Sequence, residues 1–379
     1  MNKRQYVDFH ILQTVPPANL NRDDQGNPKE AYFGGKRRSR VSSQAWKRAT
    51  RMTFAEHLPP AKHATRTKRI AGQLAKRIED RTELDAEQAA RIAGAVLEPL
   101  GIKAGKKAGD TAYLLFFGYQ QLDDITGLIA GRAEELSALD DDALKKAAQD
   151  LAVKEKLQSG HPMEVALFGR MVADIPALNV DAAVQVAHAL STHEVVLESD
   201  YYTAVDDESQ KVDETGAGMI GYVGYNSATL YRYATVGLHQ LVENLGGTDA
   251  ALEATSRFAE AFARSMPTGH INSFAHRTLP SLVAVVVRDD QPVNLVSAFE
   301  RPVPDARGIA ATSAVRLASE FILSCRQWGS TPVHAAVCHT FTAENGDIAQ
   351  LTEAFGANQT FPELLTGLEN VLVRTWKQA

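Results

Sequence analysis

The segment from Asn19 to Arg51 concentrates positive charge on a chain that is acidic overall. Between Lys29 and Arg51 there are eight basic residues and one acidic residue, Glu30, although the full chain of 379 residues has a formal net charge of -6. Such a local excess of cations is typical of surfaces that bind phosphate groups. Nucleic acid is therefore the first partner to consider for this basic island, as we name residues 19–51. Its cations are Arg22, Lys29, Lys36, Arg37, Arg38, Arg40, Lys47, Arg48 and Arg51.

Glycine and serine residues divide the basic island into a turn, a short strand and the start of a helix. Gly34 and Gly35 predict a pivot, which is followed by a strand over Lys36–Val41. Ser42 or Ser43 suits the N-cap of the next helix, because a serine hydroxyl accepts a hydrogen bond from the free amides of a first turn. The same amides and hydroxyls suit phosphate oxygens.

The helix after these serines has two stripes of different chemistry. Gln44, Lys47 and Arg51 are spaced i, i+3 and i+7, so one amide and two cations share a stripe. A second stripe begins with Trp46 and suits the protein core. The pattern predicts a helix that is anchored on one side and faces phosphate on the other.

A second candidate is the aromatic pair Tyr201 and Tyr202, which is followed by Asp206 and Asp207. Adjacent aromatic rings on a protruding element can stack on bases. Ordinary packing within a hairpin explains the two tyrosines equally well. Carboxylate pairs such as Asp206 and Asp207 can hold a divalent metal, but solvated turns are the favoured interpretation. We therefore expect neither a metal site nor a cofactor.

The sequence offers no convincing catalytic set. The eleven histidines lack the HExxH and related spacings, and no GxSxG, GxGxxG or Walker motif is found. His10 lies on a predicted strand, and His188 and His193 lie near a predicted helix end. A packed or hydrogen-bonded role is favoured for each of these histidines.

The order of predicted elements favours an α+β fold. A first strand over Gln5–Thr14 ends at Pro16 and Pro17, a helical insertion follows over Thr65–Arg170, and Leu197–Tyr225 is either a long hairpin or a protruding loop. This order is compatible with a ferredoxin-like fold that carries large insertions. Further strands are predicted over Asn226–Val242 and Leu279–Val287, and helices over Thr248–Ala263, Ala310–Arg326 and Pro362–Trp376.

Cysteine usage and hydropathy indicate a cytoplasmic protein. Cys325 and Cys338 are the only cysteines and form no CxxC pair. No segment reaches the roughly 18 apolar residues that a membrane span needs. The amino-terminal residues are predicted to form a strand and not a signal peptide. We expect a reducing compartment and no membrane partner.

Several runs of the chain resemble a known family. In chain order they are LNRDD (20–24), KEAYFGGKRRSRVSSQAWKRATR (29–51), LFGRM (167–171), HALSTHEV (188–195), DYYTAVDD (200–207), LYRYATVGLHQLVENLGG (230–247) and SAFE (297–300). They resemble CasC, the guide-RNA-binding backbone subunit of the type I-E CRISPR surveillance complex Cascade, in the RAMP superfamily. The resemblance covers most of the chain, whereas the helical insertion and the carboxy-terminal third match only weakly.

The resemblance implies a right-hand architecture. It implies an RRM-like palm over residues 1–60 and 180–379, helical fingers over residues 61–179, and a thumb hairpin at about residues 195–225 inserted in the palm. It also implies a non-catalytic subunit that polymerises along the guide spacer for antiviral recognition of target DNA. The implied partners are CRISPR RNA, neighbouring copies of the chain head to tail, the other Cascade subunits, and target DNA paired to the guide.

The resemblance also implies RNA contacts for individual residues. A filament that holds any spacer sequence must contact phosphates and sugars and leave the base edges free. Met171 is implied as an apolar wedge from the fingers, beside a thumb that displaces nucleotides at regular intervals. The implied or candidate RNA contacts are Lys29, Ser42, Gln44, Lys47, Arg51, Arg22, Arg38 and Met171, with Tyr201, Tyr202, Thr203 and Val205 near the thumb tip.

Two alternatives stay open at this point. One is a RAMP-type endoribonuclease that cleaves CRISPR RNA or target RNA, with His10, Asp24 or Asp207 as the general base. The other is an RNA-binding module that acts as a single copy and does not assemble along the guide.

Overall fold

The computed structural model describes residues 4–103, 105–107, 109–205, 217–304, 308–342 and 348–377 as an α+β fold built on an antiparallel sheet. The strands are β1 (Tyr6–Ala18), β2 (Glu30–Phe33), β3 (Lys36–Val41), β4 (Ala64–Thr67), β5 (Leu115–Gly118), β6 (Val184–Val186), β7 (Ala189–Ser191), β8 (Glu198–Val205), β9 (Ala217–Gly237), β10 (Leu282–Arg288) and β11 (His334–His339).

The helices surround this sheet and also form a separate group between β4 and β6. They are α1 (Ser43–Glu56), α2 (Ile70–Arg81), α3 (Ala86–Leu97), α4 (Tyr119–Ala130), α5 (Ala133–Ala138), α6 (Asp141–Gln149), α7 (Val153–Gln158), α8 (Met163–Phe168), α9 (Leu238–Leu245), α10 (Thr248–Arg264), α11 (Ile271–Phe274), α12 (Ile309–Trp328), α13 (Ile348–Phe355) and α14 (Phe361–Lys377).

Strand β9 connects the main sheet to a hairpin. The strand order of the main sheet is β11-β10-β1-β9-β7-β3-β2, and β6 and β8 also pair with β9. Residues 226–237 of β9 pair with β1, whereas residues 217–225 pair with β8. Because one continuous strand belongs to both, the direction in which the hairpin leaves the sheet is set by the pairing of β9 with β1.

Alternate residues of β1 enter cores on opposite faces of the sheet, as the two-residue period of a strand requires. Val7, Phe9 and Ile11 pack with α10 and α14 on one face. Leu12 packs with α12 and α13 on the other face. On the first face the Phe9 ring lies edge-on to Phe258 of α10, with 5.6 Å between ring centroids.

The helical segment has a core of its own. Ile70 of α2, Ile92 of α3 and Ile125 of α4 belong to a buried cluster that is separate from both faces of the sheet. The β4–β5 hairpin joins the two regions, because Phe116 packs with the core of the main sheet whereas Phe117 packs with the helical core. The position of the helical segment relative to α1 is therefore fixed by buried aromatic residues.

Several predicted boundaries change in the structure. Strand β1 continues through Pro16 and Pro17 to Ala18, since its register with β9 shifts between Val15 and Ala18 and a proline without an N–H group is tolerated at such an irregularity. The predicted helical insertion contains the strand β5. The strand predicted over Asn226–Val242 ends at Gly237, where α9 begins.

Other predictions are confirmed. The strand Lys36–Val41 is present with the predicted bounds, and Gly34 and Gly35 form its turn with positive φ values of 59° and 72°. Trp46 of α1 is buried, and the guanidinium of Arg232 from β9 lies 3.7 Å from its ring centroid. This contact anchors α1 to the central strand of the sheet.

A buried carboxylate lies on β1 between its neighbouring strands. Asp8 accepts a hydrogen bond from the Tyr233 hydroxyl and another from the Val293 amide, each at 3.0 Å. Oδ2, the oxygen that accepts from Val293, is also 3.2 Å from Nε of Arg288. Burial raises the pKa of Asp8 to about 6, against the opposing effects of these hydrogen bonds and of Arg288.

His10, two residues along the same face, is kept neutral. The Tyr231 hydroxyl accepts from the Leu295 amide at 3.2 Å and lies 2.9 Å from Nδ1 of His10. The imidazole and the hydroxyl therefore share one hydrogen bond in the interior of the protein. Burial, and then the positive charge of Arg288, lower the pKa of His10 to about 3.

The buried imidazole makes stability depend on pH. The unfolded chain binds a proton at His10 near pH 6.5, whereas the folded chain does not until about pH 3. The contribution of His10 is therefore complete above pH 6.5 and declines as the pH falls towards 3. Asp8 changes the stability in the opposite direction as the pH falls, because its pKa is higher in the folded chain than in the unfolded chain.

We predict that His10→Asn makes the free energy of unfolding less sensitive to acid. Between pH 7 and pH 5 the wild type is expected to lose about 2 kcal/mol more than the variant. Urea unfolding at both pH values measures this difference, and Asp8 is unchanged in both proteins. Equal losses in the two proteins would contradict a neutral buried His10.

Candidate nucleic-acid interface

Ser42 organises the start of α1. It is the N-cap, its Oγ accepts a hydrogen bond from the Ala45 amide at 3.3 Å, and its own amide donates to Oδ1 of Asn21 at 2.9 Å. The residue is buried. The predicted cap is confirmed, and what Ser42 can still offer to an external acceptor is its hydroxyl hydrogen.

His188 covers the next amide of the helix start. The Ser43 amide donates to Nδ1 of His188 at 2.9 Å, so the neutral ring carries its proton on Nε2. Partial burial and the nearby charges of Arg40 and Lys29 lower the pKa of His188. The hydrogen-bonded role favoured for His188 is confirmed, whereas its predicted place near a helix end along the chain is wrong, because it is exposed and directly precedes β7. Its Nε2–H group is a neutral donor between two cations.

The polar stripe of α1 becomes more buried along the helix. Gln44 is exposed and Lys47 is partly buried, and burial lowers the pKa of Lys47. The guanidinium of Arg51 lies 4.4 Å from the centroid of the Phe116 ring, and its Nε is 3.7 Å from the Glu164 carboxylate. Arg51 thus connects α1 to the helical segment as well as carrying charge.

Arg66 joins this stripe from another part of the chain. It lies on β4 directly opposite Phe116 of β5, and its guanidinium is 5.2 Å from the ring centroid. Its positive charge helps to lower the pKa of both Lys47 and Arg51, after the larger effect of burial. Arg66 is not among the predicted site residues, although residues 62–69 carry four cations and no carboxylate.

Arg38 is a structural residue, and its prediction as an RNA contact is wrong. The side chain is fully buried. Its guanidinium donates to the backbone carbonyls of Ser191 at 2.9 Å, Phe299 at 2.8 Å and Glu300 at 3.0 Å. The charge therefore holds β3 against two neighbouring segments and is inaccessible to a ligand.

Acidic neighbours neutralise the tip of the β2–β3 turn. Arg37 pairs with Glu30 and donates to the Tyr32 hydroxyl, and Lys36 is 3.0 Å from the Glu194 carboxylate. These cations are exposed, but their charge is balanced locally. The part of the basic island that keeps an excess of charge is therefore the region around α1.

Arg22 and Met171 are both exposed. Nη1 of Arg22 lies 3.3 Å from Nε2 of His270. Met171 is 84% exposed, whereas its neighbour Arg170 is buried and donates to the Leu157 carbonyl at 2.7 Å. The buried arginine fixes the backbone, so that the methionine projects into solvent as an apolar side chain.

The β8–β9 hairpin presents aromatic rings. Tyr201 pairs across the strands with Tyr222, and their ring centroids are 5.2 Å apart. The ring of Tyr202 covers Gly221, where an added Cβ would lie 2.4 Å from it. All three tyrosines are exposed, and Tyr222, which is not among the predicted contacts, is 75% exposed.

The remaining predicted hairpin residues are only partly described. Thr203 is exposed and pairs with Ile220, and Val205 pairs through its backbone with Ala217. Asp206 and Asp207 lie outside the described residues.

The predicted catalytic candidates do not converge. His10 is buried beneath Tyr231 and cannot reach an external RNA, whereas Asp24 is exposed on a loop. Among the described residues, no three His, Cys, Asp or Glu side chains are grouped as metal ligands would be. The helices in the same ranges include none that is long and apolar enough to cross a membrane.

The contacts of Arg38 lead to a stability prediction. Arg38→Gln leaves buried carbonyl groups without donors, so we expect the free energy of unfolding to fall by about 3 kcal/mol. Arg37→Gln removes the same charge from an exposed position and should leave the urea midpoint within experimental error. A stable Arg38→Gln protein with selectively weakened RNA binding would contradict the structural role.

Comparisons with known proteins agree with this fold. The chain matches the family model of the CT1975-like proteins over residues 7–366. It is 32% identical to a chain of a structure described as a CRISPR RNA-guided surveillance complex, pre-nicking, with a TM-score of 0.83 and coverage of 97% of this chain and 100% of that one. For a chain of a second CRISPR RNA-guided surveillance complex the identity is 29%, the TM-score 0.73, and the coverage 96% and 99%.

Among curated proteins, none matches the chain significantly. The comparisons correct the resemblance to the type I-E subunit CasC, because the family that they support is the CT1975-like one.

Proposed function

The chain belongs to the CT1975-like protein family, and from this premise we propose that it is a non-catalytic subunit of a CRISPR RNA-guided surveillance complex that holds the guide RNA by its backbone. The observation that carries the proposal is the excess of positive charge around α1. Within the described ranges, Lys29, Arg40 and Lys47 have no carboxylate at ion-pair distance. A phosphate backbone supplies the missing counter-charge.

The proposed architecture is a palm, fingers and thumb. The order β10-β1-β9-β7 in the sheet, with α1 and α10 in the connections, is the order of a ferredoxin-like fold, which supports an RRM-like palm over residues 1–60 and 180–379. The separate helical core supports fingers over residues 61–179. The β8–β9 hairpin supports a thumb at about residues 195–225.

The contacts proposed for the palm are independent of base sequence. The cations, the side-chain amide and the neutral donors around the start of α1 bind phosphate and sugar oxygens. We assign none of these side chains to the paired hydrogen bonds by which proteins read a base edge. A guide-binding subunit must accept any spacer, so this chemistry suits the proposed role. The proposed palm contacts are Arg22, Lys29, Ser42, Gln44, Lys47 and Arg51.

Exposed apolar side chains are proposed to interrupt base stacking. Unstacking one nucleotide costs a few kcal/mol, and contact with Met171 of the fingers and with Tyr201 and Tyr202 of the thumb offsets part of that cost. Thr203 and Val205 are proposed to lie near the same contact. Because the thumb leaves the sheet along β9, we propose that it reaches the RNA held by the next copy in a head-to-tail filament. The other subunits and target DNA paired to the guide complete the set of partners.

We predict that Lys29→Glu with Lys47→Glu weakens guide binding equally for unrelated spacer sequences. Two lost phosphate contacts should reduce the slope of log K against log salt by about 1.4 on a single strand. Fluorescence anisotropy with labelled RNAs over a range of salt concentrations measures both effects.

The matched control is Lys146→Glu with Lys154→Glu, which makes the same change in net charge at exposed positions of the helical segment. A loss that depends on spacer sequence would argue against backbone recognition. Cleavage of the RNA at a defined site, abolished by Asp24→Ala, would replace the proposal with the endoribonuclease alternative.

A further inference from the structure

We propose that Arg66 and Lys47 form a phosphodiester-binding site that carries the nucleic-acid surface from α1 onto the β4–β5 hairpin. This inference rests on the proposed function and extends it to a residue outside the basic island. It assigns one specific ligand chemistry, a phosphate of a nucleic-acid backbone, to the junction between the main sheet and the helical segment.

The first support is the way in which Arg66 is held. The Phe116 ring is buried and contacts two guanidinium groups, with Arg51 at 4.4 Å and Arg66 at 5.2 Å from its centroid. Arg66 is fixed further by its position in the β4–β5 pairing, directly opposite Phe116. A guanidinium stacked on a ring loses little conformational freedom when it binds a ligand.

The second support is the difference between the two stacked arginines. Arg51 is largely buried and has the Glu164 carboxylate 3.7 Å away. Arg66 is exposed, and in the part of the chain that the structure describes its guanidinium has neither an ion pair nor a hydrogen bond. The donors of Arg66 are thus available to a ligand, whereas the charge of Arg51 is partly balanced by Glu164.

The third support is the balance of charge. Lys47 lies one turn before Arg51 on α1, and Arg51 and Arg66 contact the same Phe116 ring. In agreement with this arrangement, the positive charge of Arg66 helps to lower the pKa of both Lys47 and Arg51. Glu164 partly balances the charge of Arg51, and it also accepts a hydrogen bond from the Ala64 amide at 2.7 Å. Like charges held together in this way are relieved by a bound anion.

The geometry selects phosphate among anions. An arginine edge binds two oxygens of a phosphate at once, and an ammonium group beside it adds a point charge. Arg66 and Lys47 supply this pair from two different elements, β4 and α1. A strand that follows the polar stripe of α1 therefore meets the β4–β5 hairpin next.

The test compares Arg66→Gln with Arg69→Gln, which removes the same charge from an exposed position of the same basic run without a ring contact. With labelled single-stranded RNA we expect Arg66→Gln to weaken binding about tenfold and to reduce the salt slope by about 0.7. Arg69→Gln should stay within about twofold of the wild type, as for a surface charge outside the site. Arg66→Lys, which keeps the charge and loses the bidentate edge, should fall between them.

A second readout separates the site from the proposed function. Tripolyphosphate should raise the Tm of the wild type more than that of Arg66→Gln, because a ligand stabilises the state that binds it. If tripolyphosphate stabilises the wild type through Arg66 but the wild type binds no RNA, the anion site is retained and the proposed function is overturned. RNA binding and tripolyphosphate stabilisation that are both unchanged in Arg66→Gln would overturn this inference and leave the proposed function standing.

Discussion

The cations around α1 repel one another, and contacts with the rest of the protein hold them together against this repulsion. The rest of the structure depends on these contacts. Glu164 is the key group, because its buried carboxylate accepts from the Ala64 amide and faces Arg51. It thereby connects α8, β4 and α1 at one point. The Phe116 ring contacts two guanidinium groups without neutralising them. The result is a surface in which some cations are held by the protein and others are left for a ligand.

Arginine has two different uses in this fold, and burial decides between them. Arg38, Arg170 and Arg232 are buried, and each donates to backbone carbonyls at the junction of separate segments. Such arginines set the positions of strands and turns. Arg66 and Arg22, by contrast, are exposed to solvent. Every guanidinium group has several N–H donors. The buried arginines donate to protein carbonyls, and the exposed arginines are proposed to donate to phosphates.

Local features of the site could be predicted from the sequence, whereas contacts between distant segments could not. The Ser42 cap, the turn at Gly34 and the strand after it depend on neighbouring residues, so their signals are local. Arg38 reads as a surface cation in a basic run, and only the approach of Ser191 and Phe299 makes it structural. Arg66 and His188 were missed as members of the site because β4 and the start of β7 reach α1 only in the folded chain.

The two halves of strand β9 belong to the sheet and to the hairpin. In the proposed filament this strand connects the RNA surface of one copy to that of the next. The central claim is that copies of the chain assemble along one RNA. Native mass spectrometry of the chain mixed with single-stranded RNAs of stepwise increasing length tests it most directly. The number of protein copies per RNA is predicted to rise in steps as the RNA lengthens. One copy per RNA at every length, with excess protein present, would contradict the claim.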